Sequence, residues 1–440
     1  MKSTNRHLLC LFFLLGLSTG AKAQSNGTNS SYSRYGLGLL QDQSQGFNRG
    51  MGGVAQGLAG GSIVNMQNPA SYSRIDSLTF LMDAGLGMSF GRYKQGGNTL
   101  NVRNATLEYV NTAFRLRRGM GMSIGYVPFT AIGYNFSHTT NVGTNADSQK
   151  DITTTNTYNG DGGLHRLYVG WGWNPFADLS IGVNASYVWG QYNHTRTQSF
   201  SEGSTTNSSY SGQNMAWKSS IRTYKIDLGV QYPIRLGKQD LLTVGATVGL
   251  GHGIGSKVEM TRFTPNADTL RLSTHNAFEL PYTIAAGASW QHRQRWTVAA
   301  DYEMQRWEGL KSPLATSSDA GYSLEVRTDQ YLTRHSVRLG LEYQRNPNPT
   351  NKFRDRIRYR LGANYHTPYV RLAGTDGPTQ YSLTAGVALP LTNSGRSMLN
   401  LGVEWMRRQP ALSAQITENY LMLHVGITFN ERWFMKWRIE

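Results

Sequence analysis

From Ser77 onward, apolar residues fall on every second position. Leu78, Phe80, Met82, Ala84, Leu86, Met88 and Phe90 alternate with Thr79, Asp83, Gly85, Gly87 and Ser89. A period of two is that of a strand whose side chains point to opposite faces in turn. The alternation returns at Met120/Met122/Ile124/Tyr126, Leu167/Val169/Trp171/Trp173 and Tyr224/Ile226/Leu228/Val230/Tyr232. It continues through Val337/Leu339/Leu341/Tyr343 to Leu421/Leu423/Val425/Ile427/Phe429. With one less regular stretch at 106–116, the pattern predicts about fourteen strands.

The connections alternate too. Short ones fall at Arg117-Arg118, Asn174-Pro175, 236–238, 292–295 and 393–395, with a longer one at 346–353. Polar tracts at 141–163, 198–213, 257–277, 309–329 and 366–380 occupy the other side. Membrane barrels have short periplasmic turns, longer outer loops and, in single bacterial chains, an even strand number. A soluble two-sheet sandwich gives no reason for such alternation. The reading is all-β: a transmembrane antiparallel β-barrel of about 14 strands over residues 77–430. Closure matters because an unpaired backbone group in lipid costs several kcal/mol. If the apolar face meets lipid, the opposite parity turns Lys225, Asp227, Asp301, Glu303, Arg338, Glu342, Arg360 and Glu404 into the lumen. Their mixed signs favour a paired structural network over an ion or substrate site, because buried charges are normally paired.

The N-terminus carries Lys2 and Arg6, an apolar run from Leu8 to Leu17 and an Ala21-Lys22-Ala23 cleavage site. Residues 1–23 read as a secretory signal peptide, the run being short of the roughly 20 residues that span a bilayer. Cys10, the only cysteine, lies inside it, so the mature chain has no disulfide, thiol catalyst or cysteine metal site. Residues 431–440 read as a tail, with both termini in the periplasm.

Mean hydropathy is negative, yet 49 glycines, 24 tyrosines and 10 tryptophans suit a barrel with aromatic belts. The chain has 43 Lys and Arg against 27 Asp and Glu, without a basic block. Export argues against nucleic acid, and an anionic lipid surface is the simpler partner. The ten histidines show no H-E-x-x-H, and no G-x-S-x-G elbow occurs. GLGHGIGSK at 249–257 lacks phosphate-loop spacing and ends a strand. No enzyme activity, metal or cofactor is expected.

Several short motifs add a resemblance. Met51-Gly52-Gly53 followed by Asn68-Pro69-Ala70, Tyr126-Val127-Pro128-Phe129 with Gly133-Tyr134-Asn135, Asp301-Tyr302 with Trp307, and 386–390 (GVALP) resemble the FadL-type outer-membrane family. SSYSRYGLG at 30–38 and the basic C-terminal end look like a divergent branch. The resemblance implies an outer-membrane barrel of a Gram-negative bacterium that takes up hydrophobic small molecules. It also implies that 24–76 folds into the lumen as a hatch, with Met51, Gly52, Gly53, Asn68, Pro69 and Ala70 in it. That segment is rich in glycine, and Val54, Leu58, Ile63, Val64 and Met66 speak against a disordered tail. Loops 257–277 and 309–329 would capture a hydrophobic ligand, although neither is strongly apolar. The alternative is a non-transporting subunit or scaffold of a multi-protein outer-membrane assembly or secretion complex. Its outer-membrane or periplasmic protein partner would dock on 432–440 and 346–353.

Overall fold

Alternating residues leave each strand one face for lipid and one for the interior, and fourteen such strands close on each other. The computed structural model describes residues 28–146, 149–176, 178–203, 212–265, 267–318, 321–346, 352–372, 374–391 and 396–431. The expected signal peptide, residues 1–23, and residues 432–440 of the expected tail lie outside the described residues. The strands are β1 (Phe80–Gln95), β2 (Asn98–Arg117), β3 (Met120–Pro128), β4 (Asp151–Phe176), β5 (Leu179–Glu202), β6 (Gln213–Arg235) and β7 (Asp240–Gly249). They continue as β8 (Tyr282–His292), β9 (Trp296–Arg306), β10 (Arg334–Gln344), β11 (Arg358–His366), β12 (Thr379–Pro390), β13 (Met398–Gln409) and β14 (Thr417–Glu431). Each pairs antiparallel with its sequence neighbour, and β14 returns to β1 from Phe80↔Glu431 to Lys94↔Thr417, closing a 14-strand barrel. No helix among the described residues is long and apolar enough to cross a membrane.

The outward rows are apolar and open. Leu339, Leu361 and Leu383 are each more than half exposed, at 53%, 57% and 57%. In water that would be a liability; in lipid it is the expected face. Inward rows are buried by the N-terminal segment.

Two of the polar tracts differ from the loop reading. Residues 151–163 and 198–202 are strand, because β4 and β5 run on together as far as Ile152↔Glu202. Threonine and asparagine on these tall walls keep the extended backbone without apolar side chains. The 257–277 and 309–329 tracts hold their own hairpins, Lys257–Phe263 with Leu270–His275 and Ser312–Ser318 with Gly321–Arg327. Connections 96–97 and 410–416 on that same end are short, so loop length does not alternate strictly.

Two irregularities shape the interior. In β2, Gly85 faces Tyr109 and Leu86 faces Leu107, leaving Glu108 unmatched. This bulge turns both Glu108 and Tyr109 toward the lumen. β3 breaks at Phe129 and resumes as Thr130–Thr144. Its pairing with β2 stops at Val110↔Tyr126, whereas pairing with β4 continues above the break. A seam therefore separates upper β2 from the continuation of β3. Part of it is filled by Leu39–Leu40, which pair with Ala131 and Thr130.

The N-terminal segment runs the length of the interior. Thr28 lies at the long-loop end, where its carbonyl accepts a hydrogen bond from the Tyr93 hydroxyl at 3.2 Å. The 3-10 turn Pro69–Arg74 lies at the short-turn end, with Ser73 against Ser180 at 2.8 Å. The described chain thus enters at the end opposite to the one that a periplasmic N-terminus requires. Glu431 ends at the short-turn end.

Candidate functional site

The interior is built where the glycines of the segment meet glycines of the wall. Gly52 and Gly53 have φ of 68° and 80°, a region that glycine enters without strain. A side chain at Gly362 would place its Cβ 2.1 Å from the Gly52 nitrogen. The backbone of the segment therefore lies directly on β11. From there the Gly52 N–H donates to Thr384 Oγ1 of β12 at 2.9 Å. Met51 is 2% exposed, in an apolar cluster with Phe47, Val54, Leu58 and Ala299.

Further along, Asn68 caps the Pro69–Arg74 turn by accepting from Ala70 N–H, and its amide donates to the Gln56 and Val230 carbonyls. Proline suits the first position of that turn, where no N–H is needed. The Asp301 carboxylate accepts the Ala55 and Gln56 N–H groups at 2.5 and 3.0 Å. Ser289, Gln231 and Asn184 donate to the Gly57, Gln56 and Met66 carbonyls at 2.6, 2.8 and 2.8 Å. Wall side chains thus satisfy the backbone of a segment with almost no secondary structure of its own.

The charges read from strand parity stand in separate groups. Lys225 and Arg166 both engage Asp227, the latter at 2.5 Å. Arg338 pairs with Glu303 at 2.7 Å, and Arg360 with Glu342 at 2.7 Å. Arg360 also donates to the Gly46 carbonyl and Asn400. Glu404 faces His424 Nε2 at 3.3 Å. Asp301 serves the backbone of the segment and has no ion pair among the described residues. The eight positions form no single network.

Sequence reasoning missed a central group. Glu108 accepts from His424 at 2.6 Å and lies 3.5 Å from Arg49, which also meets Asp42 at 3.2 Å. Arg408 pairs with Glu418 at 2.9 Å. Arg166 sits on the inward parity of β4 and was readable by extending the alternation. Glu108 was not, because the bulge breaks the period there. Asp42 and Arg49 lie where no period exists.

A cavity of about 490 Å³ remains beside the segment. Arg49, Glu108, Arg166, Asp227, Arg338 and His424 line it together with Leu40, Met66, Phe129, Trp307, Met406 and Met422, so its walls are mixed, charged and apolar. It also reaches Met88 and Leu107, whose side chains are exposed on the outer face beside the seam.

The fold is that of the FadL-type barrels. The Pseudomonas aeruginosa FadL homologue aligns with a TM-score of 0.60 at 11% identity, over 89% of this chain and 99% of its own. The Pseudomonas putida toluene transporter TodX aligns at 0.57 and 15%, over 90% and 100%. The Ralstonia pickettii toluene transporter TbuX aligns at 0.54 and 14%, over 88% and 98%. No curated protein matches by sequence. A family model does match, over residues 5–440, and the chain belongs to the BamG family.

Proposed function

We propose that this chain is an outer-membrane barrel whose N-terminal segment is a fixed seal, and that it serves as a non-transporting subunit of a multi-protein outer-membrane assembly. Residues 1–23 direct export, 24–76 close the lumen and 77–430 span the membrane of a Gram-negative bacterium. One observation carries the reading. The segment is held to the wall by its backbone, at Gly52, Ala55, Gln56, Gly57 and Met66, and ion pairs stand among the apolar groups of the space left beside it. A hydrophobic ligand there would strip water from charged groups without replacing their hydrogen bonds, at a cost of several kcal/mol.

Uptake of a hydrophobic compound is the second reading. Its support is the seam beside Leu107 and the likeness in fold to toluene transporters and a monoaromatic hydrocarbon channel. Fold alone does not carry substrate.

Extraction from the native membrane in mild detergent, with mass spectrometry of proteins and lipids in one sample, separates the two. A stoichiometric protein partner with no apolar molecule bound is expected. A bound fatty acid or hydrocarbon with no stoichiometric protein would overturn the subunit reading.

A further inference from the structure

The short-turn end of the barrel is basic in an ordered way. The β2–β3 turn brings Arg117 and Arg118 there, both exposed, and the β6–β7 turn brings Arg235 and Lys238, also exposed. The β8–β9 turn adds Arg293 and Arg295. Among the described residues, the carboxylates of that end are Asp76, Asp178, Asp240, Asp355 and Glu431, fewer than half as many as the Lys and Arg residues. Two of them are already engaged, Asp240 by His292 at 2.7 Å and Asp355 by Arg345 at 3.5 Å.

Strand parity says which way part of this charge faces. In β2 a second irregularity lies between Arg115, which faces Gly121, and Arg117, which faces Met120, so parity does not orient Arg117. Arg235 continues the inward row of Lys225, Asp227 and Gln231, beside outward Ile234. Arg235 thus faces the mouth, and the exposed cations of the turns stand around it. Headgroups of the surrounding leaflet lie on the other side of the wall. A layer covering the mouth along the barrel axis meets these cations directly.

A second feature marks the same surface. The β10–β11 connection is the longest at this end and carries a one-turn helix, Phe353–Arg356. Phe353 is 50% exposed between Lys352 and Arg354, which are also exposed. An aromatic flanked by cations is the composition of an interface anchor, and like charges at this density repel one another until an acidic surface meets them.

We propose that the short-turn mouth is a docking surface for the acidic face of a periplasmic protein domain, with Phe353 as its apolar anchor. This rests on the subunit reading above and names the side and chemistry of the partner.

The test uses the full-length protein in its native membrane. A photoreactive phenylalanine analogue is placed at Phe353 and at Lys238, and at Thr139 on the opposite end as a control. In parallel, Arg117→Glu, Arg118→Glu and Arg235→Glu are combined, with heat-shifted gel mobility confirming a folded barrel. The expected result is one acidic protein crosslinked at 353 and 238 but not at 139. Its recovery should fall about tenfold in the charge-reversed barrel and in high salt. Crosslinks to phospholipid alone at 353 and 238 would overturn the proposal. So would an undiminished partner on the charge-reversed barrel. A stoichiometric partner crosslinked only at 139 would overturn the proposal while leaving the subunit reading intact. No stoichiometric partner in any sample would overturn both.

Discussion

Arg49 is the residue on which the inner segment turns. It is 7% exposed and its guanidinium stands between Asp42 and the Glu108–His424 pair. Removing one member of a buried ion group leaves its partners uncompensated, at about 3–5 kcal/mol. Arg49→Ala should lower the unfolding transition followed by gel mobility, whereas an exposed Arg118→Ala should not. Equal transitions would remove Arg49 from this role. Asp42 gives the pH behaviour. Burial opposes its charge, but Arg49 and Arg338 outweigh burial and hold its carboxyl well below the usual carboxylate range. A lowered pKa gives stability that is full at neutral pH and is lost only as pH falls below that range. With its side chain 40% exposed to the cavity, the contribution is small. Protection of the segment from protease should hold from pH 7 to 5 and weaken only below about pH 4. Loss near pH 6 would assign the hold to a histidine instead. At Gly362 the expectation is steric, since backbone lies where a Cβ would go. Gly362→Val should displace the segment and expose residues 49–57 to protease, with the barrel still closed.

At the scale of elements, the strands were legible because one face meets lipid over the part of each strand inside the membrane. Period two is then enforced by the solvent, and β8, β10 and β12 follow it without exception. What was not legible broke that rule. The bulge at Glu108 shifts parity by one residue, so the stretch 106–116 read as irregular and Glu108 was missed. The break at Phe129 left no signal, because Tyr126 to Phe129 keep a strand-like composition. Polar upper walls of β4 and β5 read as loops because beyond the lipid belt both faces are polar. The inner segment has no period at all. Its Asn68-Pro69 and paired glycines could be placed only by resemblance, while Asp42 and Arg49 had nothing to mark them. The separate ion groups follow from side-chain reach across strands, which parity alone does not give.

For the whole molecule, the outward rows predict a depth-dependent penalty. Leu339→Arg, on an outward face and 53% exposed, should destabilise the folded barrel by about 2–4 kcal/mol in lipid. An unchanged stability in vesicles would put that face in water. The central claim is that the inner segment is a seal that does not move. Ser73 and Ser180 tie it to the wall through hydroxyls 2.8 Å apart, and the sequence has no cysteine after Cys10 to interfere. The most direct measurement is therefore entry of a fluorescent fatty acid into cells carrying Ser73→Cys with Ser180→Cys, compared with and without reductant. A fixed seal predicts the same entry, locked or released, with the protein complex still assembled. Entry that stops when the disulfide forms and returns on reduction would contradict it, and would make the segment a moving gate.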